Sequence, residues 1–329
     1  PGPKKTGFAS CRRSALDCLT QAKHRTRPTI MTHQTRLMGE TVVDALRTAS
    51  TTYRKLYYRP TTGNAGDALI NVGFYSICDA IGISFEEVGN DFDYGSIREN
   101  ELLILSGGGY IVPYWDGGSE LIHQVTQFDF PLLMLPQSIQ GREDVLRRLR
   151  PQDTLFLREK YSFEYARSLG LECALGVDHD LAFAVDADAV LKETPALPPN
   201  RRLRDCRKLG YCKYHEFRST FISALDAFRT DIESARPGKK SRINDASLVA
   251  KFGTATRAEN FYSAKRLLSM LSRYRRVRTD RLHVMIGCVL VNTPVTVFDN
   301  AYHKIRGVHE YSIAPFPDRS RLVSLSRQT

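Results

Sequence analysis

Two facing Rossmann-like α/β domains are what this sequence predicts, and three observations predict them. At about 150 residues per domain, a chain of 329 residues is long enough for two. Between residues 54 and 177, apolar runs of strand length alternate with helical patterns, which implies right-handed crossovers and a parallel sheet covered on both faces. A Pro-rich stretch at 194 to 204, TPALPPNRRLR, then interrupts the alternation like a linker. The expected units are a basic N-terminal extension over 1–50, a first Rossmann-like domain over 51–190 and a smaller α/β domain over 191–329.

Strands are expected over 55–58, 83–88, 102–106, 131–135, 154–157 and 172–177, where short apolar runs such as LLIL and LLML stand between turn residues. Helices are expected over 68–80, 141–149 and 160–169, the last closed by Gly170. Beyond the linker the pattern predicts helices over 216–235 and 257–274 around a polar loop at 236–245. A strand over 276–279, a buried helix over 282–291 and a strand over 295–298 complete the second unit. Such an arrangement leaves a cleft between the domains, and no internal repeat is evident.

Composition narrows the class further. With 42% hydrophobic and 25% charged residues and a mean hydropathy of −0.32, the chain reads as an ordinary globular protein rather than a disordered, collagenous or coiled-coil one. Its apolar runs fall far short of the roughly 20 residues a spanning helix needs. Residues 1–30 are basic without the apolar centre of a secretory signal. Pro1 is no ordinary translation start and Met31 offers one, so that stretch reads as an upstream extension. Seven scattered cysteines without a CxxC pair suggest reduced thiols and a cytoplasmic protein, and they disfavour zinc. The net charge is +11, and residues 1–30 alone carry seven basic side chains against one acidic. Further basic clusters at 201–218 and 265–281 suit phosphates or an anionic membrane face. No nucleic-acid module accompanies them, so no specific nucleic-acid partner is expected.

Five motifs carry the candidate chemistry. TGNAGD at 62–67 comes after a strand and opens a helix. Its glycines permit close backbone approach, Asn64 and the helix amides face whatever binds there, and Asp67 is placed as an N-cap or a base. SGGG at 106–109 comes after another strand. Three successive glycines, Gly107, Gly108 and Gly109, are entropically costly unless a ligand or another backbone needs the space. Tyr110, Tyr114 and Trp115 behind them either stack on a sugar or belong to the core, and the absence of GxGxxG gives no support to a nicotinamide cofactor. LREKYS at 157–162 puts Arg158 at a strand end, where a guanidinium grips a carboxylate or phosphate bidentately. A surface salt bridge to Glu159 or Glu164 is the plainer reading of that motif taken alone. TDRLH at 279–283 places Arg281 and His283 at the mouth of a buried helix, where anions are favoured and a histidine can shuttle a proton. DHDLAF at 178–183 has a D-x-D spacing common in turns, and no metal site is expected from it.

In that order, GNAGD, SGGG, REKYS, DLAF and TDRLH with the later PVTVFDN resemble the polysaccharide pyruvyl transferase family, over roughly 55–308. Residues 186–256 depart from the family pattern. The resemblance implies a fold similar to the two-domain glycosyltransferase (GT-B) architecture, with the acceptor on the first domain and the donor on the second. It also implies transfer of the pyruvyl group of phosphoenolpyruvate to two hydroxyls of one sugar, forming a ketal in exopolysaccharide or cell-surface glycan biosynthesis. Arg158, Arg281, Leu282 and His283 are then the expected phosphoenolpyruvate contacts. Asn64, Gly107, Gly108, Gly109 and Ser162 complete the expected substrate site, with Asp67 and His283 catalytic and no cofactor required. The acceptor, free or lipid-linked, would be met in the cytoplasm or at the inner membrane face. A glycosyltransferase of the same architecture is the alternative, but the nucleotide-sugar features it would want, a ribose-binding carboxylate and a diphosphate loop, are not found. A purely polyanion-binding protein leaves the glycine loops unexplained.

Overall fold

The computed structural model describes residues 41–192, 205–234 and 241–326; the basic stretch at 1–30, the linker at 194–204 and part of the 236–245 loop lie outside them. Two parallel sheets form two lobes. The first runs β2-β1-β3-β5-β6-β7, built from β1 (Lys55–Arg59), β2 (Glu86–Glu87), β3 (Glu101–Leu105), β5 (Leu132–Ile139), β6 (Thr154–Leu157) and β7 (Ala174–Val177). Every residue of β3 and β5 is buried, as expected of central strands covered on both faces. The second sheet runs β11-β10-β9-β8: β8 (Ala224–Ala227), β9 (Arg276–Thr279), β10 (Val295–Val297) and β11 (Val323–Leu325).

The helices of the first lobe are α1 (Val42–Thr52), α2 (Ala65–Ile81), α3 (Gly117–Val125), α4 (Glu143–Leu146) and α5 (Lys160–Ser168), while α6 (Ala187–Lys192) packs on the second-lobe core. Those of the second are α7 (Cys206–Phe221), α8 (Ala246–Val249), α9 (Arg257–Ser272), α10 (Leu282–Leu290), α11 (Lys304–Ser312) and α12 (Pro317–Ser320). α1 crosses the expected boundary at residue 51. Its Val42, Leu46 and Ala49 pack with Leu56 and Tyr58 of β1, and Asp178 accepts its Val42 N–H at 2.8 Å. Residues 42–50, expected in the extension, therefore belong to the packed first lobe.

The lobes share one core. Ala65, Leu69 and Val72 of α2 pack with Ala264, Leu267 and Leu268 of α9 and with Leu282 and Met285 of α10. Beside them runs a buried polar seam: Asn71 Nδ2 donates to Asn260 Oδ1 at 2.9 Å, and Asn71 Oδ1 accepts from Tyr58 and Ser106. Both amides are fully buried, so each pairing must be kept.

Four element expectations are corrected. A helix over 216–235 is replaced by α7, ending at Phe221, and by β8. α7 turns Tyr214, Phe217 and Phe221 to solvent, so hydrophobic periodicity misplaces it, while β8 is four residues long and owes its state to pairing with β9. The last two residues of the expected SGGG loop and the two after it form a strand, β4 (Gly108–Ile111), on the outer part of β5. The 141–149 helix shortens to α4, and the 83–88 strand to β2.

Five cysteines among the described residues are free thiols; burial pushes Cys78 and Cys173 up to about 12. No helix of the described residues is long and apolar enough to cross a membrane.

Close approach of the short 3-10 turn Leu181–Ala184 to α2 yields a stability prediction. A Cβ at Gly73 would stand 1.8 Å from the Leu181 carbonyl oxygen. Helix propensity favours alanine over glycine by about 1 kcal/mol, but backbone overlap of this depth cannot be relieved by rotating a side chain and costs roughly 1–3 kcal/mol or more. Gly73→Ala should therefore lower the urea midpoint, whereas Gly210→Ala in α7, with open space around it, should leave it unchanged or raise it slightly.

Candidate active site

In a parallel sheet all the carboxyl ends of the strands lie along one edge, and here those edges of both sheets border a single cavity of about 690 Å³. Ligand sites of open α/β sheets form at such carboxyl edges. From the first lobe come Asn64 and Asp67 after β1, Gly109 after β3 and Arg158 after β6; from the second come Arg229 and Glu233 after β8, Arg281, Leu282 and His283 after β9, and Lys304 after β10.

Asn64 and Asp67 shape the opening turn of α2. Asn64 is the N-cap, accepting from Gly66 N–H, and Asp67 Oδ2 accepts the Asn64 N–H at 2.5 Å. Asp67 is thus the second half of a capping box rather than the N-cap itself, with its carboxylate held at the cavity wall. Gly66 is required by the other lobe: a Cβ there would stand 2.5 Å from the His283 ring, so its absence lets that ring seat on the α2 N-terminus.

Arg158, 1% exposed, donates from Nε to Ser138 Oγ and from Nη1 to Asp180 Oδ2 at 2.7 Å. Its Nη2 lies beside Gly109, where a Cβ would sit 2.9 Å from it and 2.8 Å from the Tyr302 hydroxyl. Asp180 also faces His283, with Nε2 3.4 Å from the same Oδ2, longer than a full hydrogen bond. One carboxylate therefore stands between the arginine of one lobe and the histidine of the other. Burial works to raise the Asp180 pKa, and it is overcome by His283, Arg158 and the Ala182 N–H, which hold the carboxyl below its ordinary value.

On the second lobe, Arg281 Nη2 donates to Asp245 Oδ2 at 2.5 Å and to Asp231 Oδ2 at 3.1 Å, leaving its buried Nε unpartnered. Arg229 binds Asp231 at 2.7 Å and Glu233 at 2.8 Å. Lys304 pairs with Glu233. Burial first, then repulsion from Arg229, lowers Lys304 to about 7, against the pull of Glu233. Trp115, at the cavity rim, donates from Nε1 to Glu233 Oε1 at 2.6 Å, so it belongs to the rim and not to the core.

Three expected residues do not line the cavity. Gly107 clears the Pro136 carbonyl, 2.8 Å from where its Cβ would be. Gly108 begins β4 with φ 150°. Ser162 is buried behind the wall, where its backbone N–H and hydroxyl both donate to Glu159 and its Oγ accepts from Ile139 N–H. The D-x-D pair also separates, because Asp178 caps α1 while Asp180 serves Arg158. Sequence reasoning missed Asp180, Arg229, Glu233 and Lys304. The helix expected over 216–235 hid the strand end that presents Arg229 and Glu233, whereas Lys304, opening a helix after β10, had the same strand-to-helix signal as Arg281.

Fold and site together define a two-lobed α/β protein with a polar, cation-lined interlobe cavity. The family model of polysaccharide pyruvyl transferase matches residues 64–302, and the chain belongs to that family. It is 25% identical over 272 residues to a Bacillus subtilis (strain 168) protein named "Putative pyruvyl transferase EpsO", covering 74% of this chain and 80% of that one. A crystal structure of the uncharacterized protein KP1_0663 from Klebsiella pneumoniae subsp. pneumoniae NTUH-K2044 is similar in fold, with a TM-score of 0.67 at 23% identity, over 87% of this chain and 97% of that one.

Asp180→Asn should expose the dependence of Arg158, with His283 beside it, on one carboxylate. Breaking a buried pair from one side costs roughly 3–5 kcal/mol, and denaturant unfolding at pH 7 should show a loss of that order. Because the carboxyl is held below its ordinary 3.8, its contribution is present above that pH and lost as pH falls through the folded value. The difference between variant and parent should therefore shrink below pH 4.

Proposed function

We propose that the cavity transfers the pyruvyl group of phosphoenolpyruvate to two hydroxyls of one saccharide, giving a cyclic ketal and phosphate. The observation that carries this reading is the convergence of Arg158 and Arg281, from different lobes, on one cavity that also holds Lys304 and His283. A small molecule bearing both a carboxylate and a phosphate asks for such separated fixed cations. The neighbouring carboxylates keep the guanidinium planes oriented before the ligand arrives, which reduces what binding must organise.

Chemically, the methylene carbon of the enol takes a proton and becomes a methyl group while oxocarbenium character develops at the adjacent carbon. One sugar hydroxyl adds there and loses its proton. The second hydroxyl then displaces phosphate, whose departing oxygen accepts the remaining proton. Two hydroxyl protons leave the acceptor, and the methyl group and phosphate account for both.

Lys304 suits the carbon protonation, since an acid acts best when its pKa lies near the working pH. His283 contacts the phosphate and delivers its proton. Asp67, across the cavity from the second lobe, takes a proton from a sugar hydroxyl. Trp115 offers its indole at the rim as a platform for the acceptor ring. Arg158, though on the first lobe, belongs to the donor set, so the donor is shared between lobes.

The test is incubation with phosphoenolpyruvate and a panel of free and lipid-linked saccharides, reading phosphate release and a mass gain of about 70 Da, pyruvic acid less water, on the acceptor. Asp67→Asn and His283→Ala should each reduce turnover by roughly 10²- to 10⁴-fold; near-parental turnover in either removes that residue from the mechanism. In calorimetry, heat with nucleotide sugars and none with phosphoenolpyruvate would overturn the assignment.

A pH profile tests the lysine separately. With Lys304 the acid, its ammonium is present below about pH 7 and lost above it, so kcat/KM should fall on the alkaline side of neutrality. Lys304→Met should lose both that limb and most of the activity. An alkaline limb retained in the variant would assign it to another group.

A further inference from the structure

Outside the cavity, exposed aromatic surface among the described residues concentrates on α7. Tyr214, Phe217 and Phe221 recur at spacings of three and four and so share one face of the helix. They are 48%, 68% and 73% exposed, and Ile222 extends the patch at 44%. The Phe217 and Phe221 rings touch, with centroids 5.1 Å apart. Two phenylalanines this open to water on one stripe mark a surface that meets something apolar.

The charges around the stripe identify the partner. Lys213 is exposed on one flank and Arg207 on the other. At the C-terminal end, the backbone N–H groups of Arg275 and Arg276 donate to the Ser223 carbonyl at 2.9 and 3.3 Å, holding two exposed arginines beside Phe221 and Ile222. Nearby Asp226 is already engaged by Arg278, and Glu216 lies within 3.6 Å of Arg273. An apolar stripe rimmed by cations is complementary to a bilayer whose headgroups are negative, where rings sink to the acyl boundary and basic side chains remain among the phosphates. A second copy of the chain would bring like charges together around the same stripe.

We infer that α7 docks this protein on an anionic lipid surface through Tyr214, Phe217 and Phe221. The helix has a fixed relation to the cavity. Near its start, Lys208 donates to the Lys251 carbonyl, and Lys251 in turn donates to the carbonyl of Thr62 on the cavity wall. These contacts leave from the buried side of α7, where Cys212 and His215 lie, so the aromatic stripe on the opposite side stays free to dock, and the docking does not rest on the proposed function.

The experiment is co-flotation of the full chain with vesicles of phosphatidylcholine alone and with roughly 30% phosphatidylglycerol added. Binding should require the anionic lipid, weaken as salt rises from about 0.05 to 0.5 M as Coulomb attraction is screened, and fall at least tenfold in Phe217→Ser/Phe221→Ser. Lys213→Glu should weaken binding to the anionic vesicles in the same direction. Since these side chains project into water, unchanged circular dichroism and thermal unfolding should accompany the loss; Phe217→Asp alone serves if the double variant fails to fold. Undiminished flotation of a folded aromatic variant, or equal binding to neutral vesicles, overturns the proposal. So does sedimentation velocity showing a dimer that the aromatic variant dissociates while vesicles capture neither protein. Flotation needs no substrate, so failure of the pyruvyl-transfer reading leaves this test intact.

Discussion

The packing of α2 against α9 and α10 is the constraint on which the site depends. A cavity lined by two lobes has useful geometry only if their relative position is set, and a shared core sets it here. Close-packed interiors resist deformation, so the opening turn of α2 and that of α10 are held together at the cavity. Gly66 and His283 make this concrete: the histidine ring occupies the space a side chain would take. The Asn71–Asn260 pair adds directional restraint, because sliding the helices would take from the buried Asn260 Oδ1 the Asn71 donor it accepts from.

Charge is managed within that frame by pairing. Arg229, Arg281 and Lys304 share Asp231, Glu233 and Asp245, while Arg158 and His283 share Asp180. Each of these buried basic side chains thereby faces a carboxylate where burial alone would leave it without one. Lys304 shows the competition most clearly. Burial and a neighbouring guanidinium outweigh its one carboxylate, leaving it near neutrality. Glu233 ties this region to the rim through Trp115, so one side chain reaches from the buried lysine to the place where a larger substrate would enter.

Much of the fold was legible because parallel strands buried on both faces have to be apolar throughout. LLIL at 102–105 and TLFL at 154–157 announce themselves without alignment to anything. The junction motifs were legible for a related reason. Glycines and polar residues directly after such strands are expensive unless a helix start or ligand needs them, which singled out Asp67, Arg158, Arg281 and His283. Failures cluster where local pattern and tertiary role part company. α7 shows aromatics to water, and β8 is a strand only because β9 lies beside it. Gly107 looks like a ligand contact in sequence, yet the Pro136 carbonyl is what it accommodates.

The amino-acid sequence by itself determined two α/β lobes, their order and the junctions where polar groups would gather, since burial on both strand faces and helix-start chemistry are local requirements. Only tertiary structure decided that Asp180 would stand between Arg158 and His283, that Lys304 would be buried among charges, and that Ser162 would be turned behind the wall. Those outcomes depend on distances between segments far apart in the chain, which no local periodicity encodes and which the packing of one lobe on the other sets.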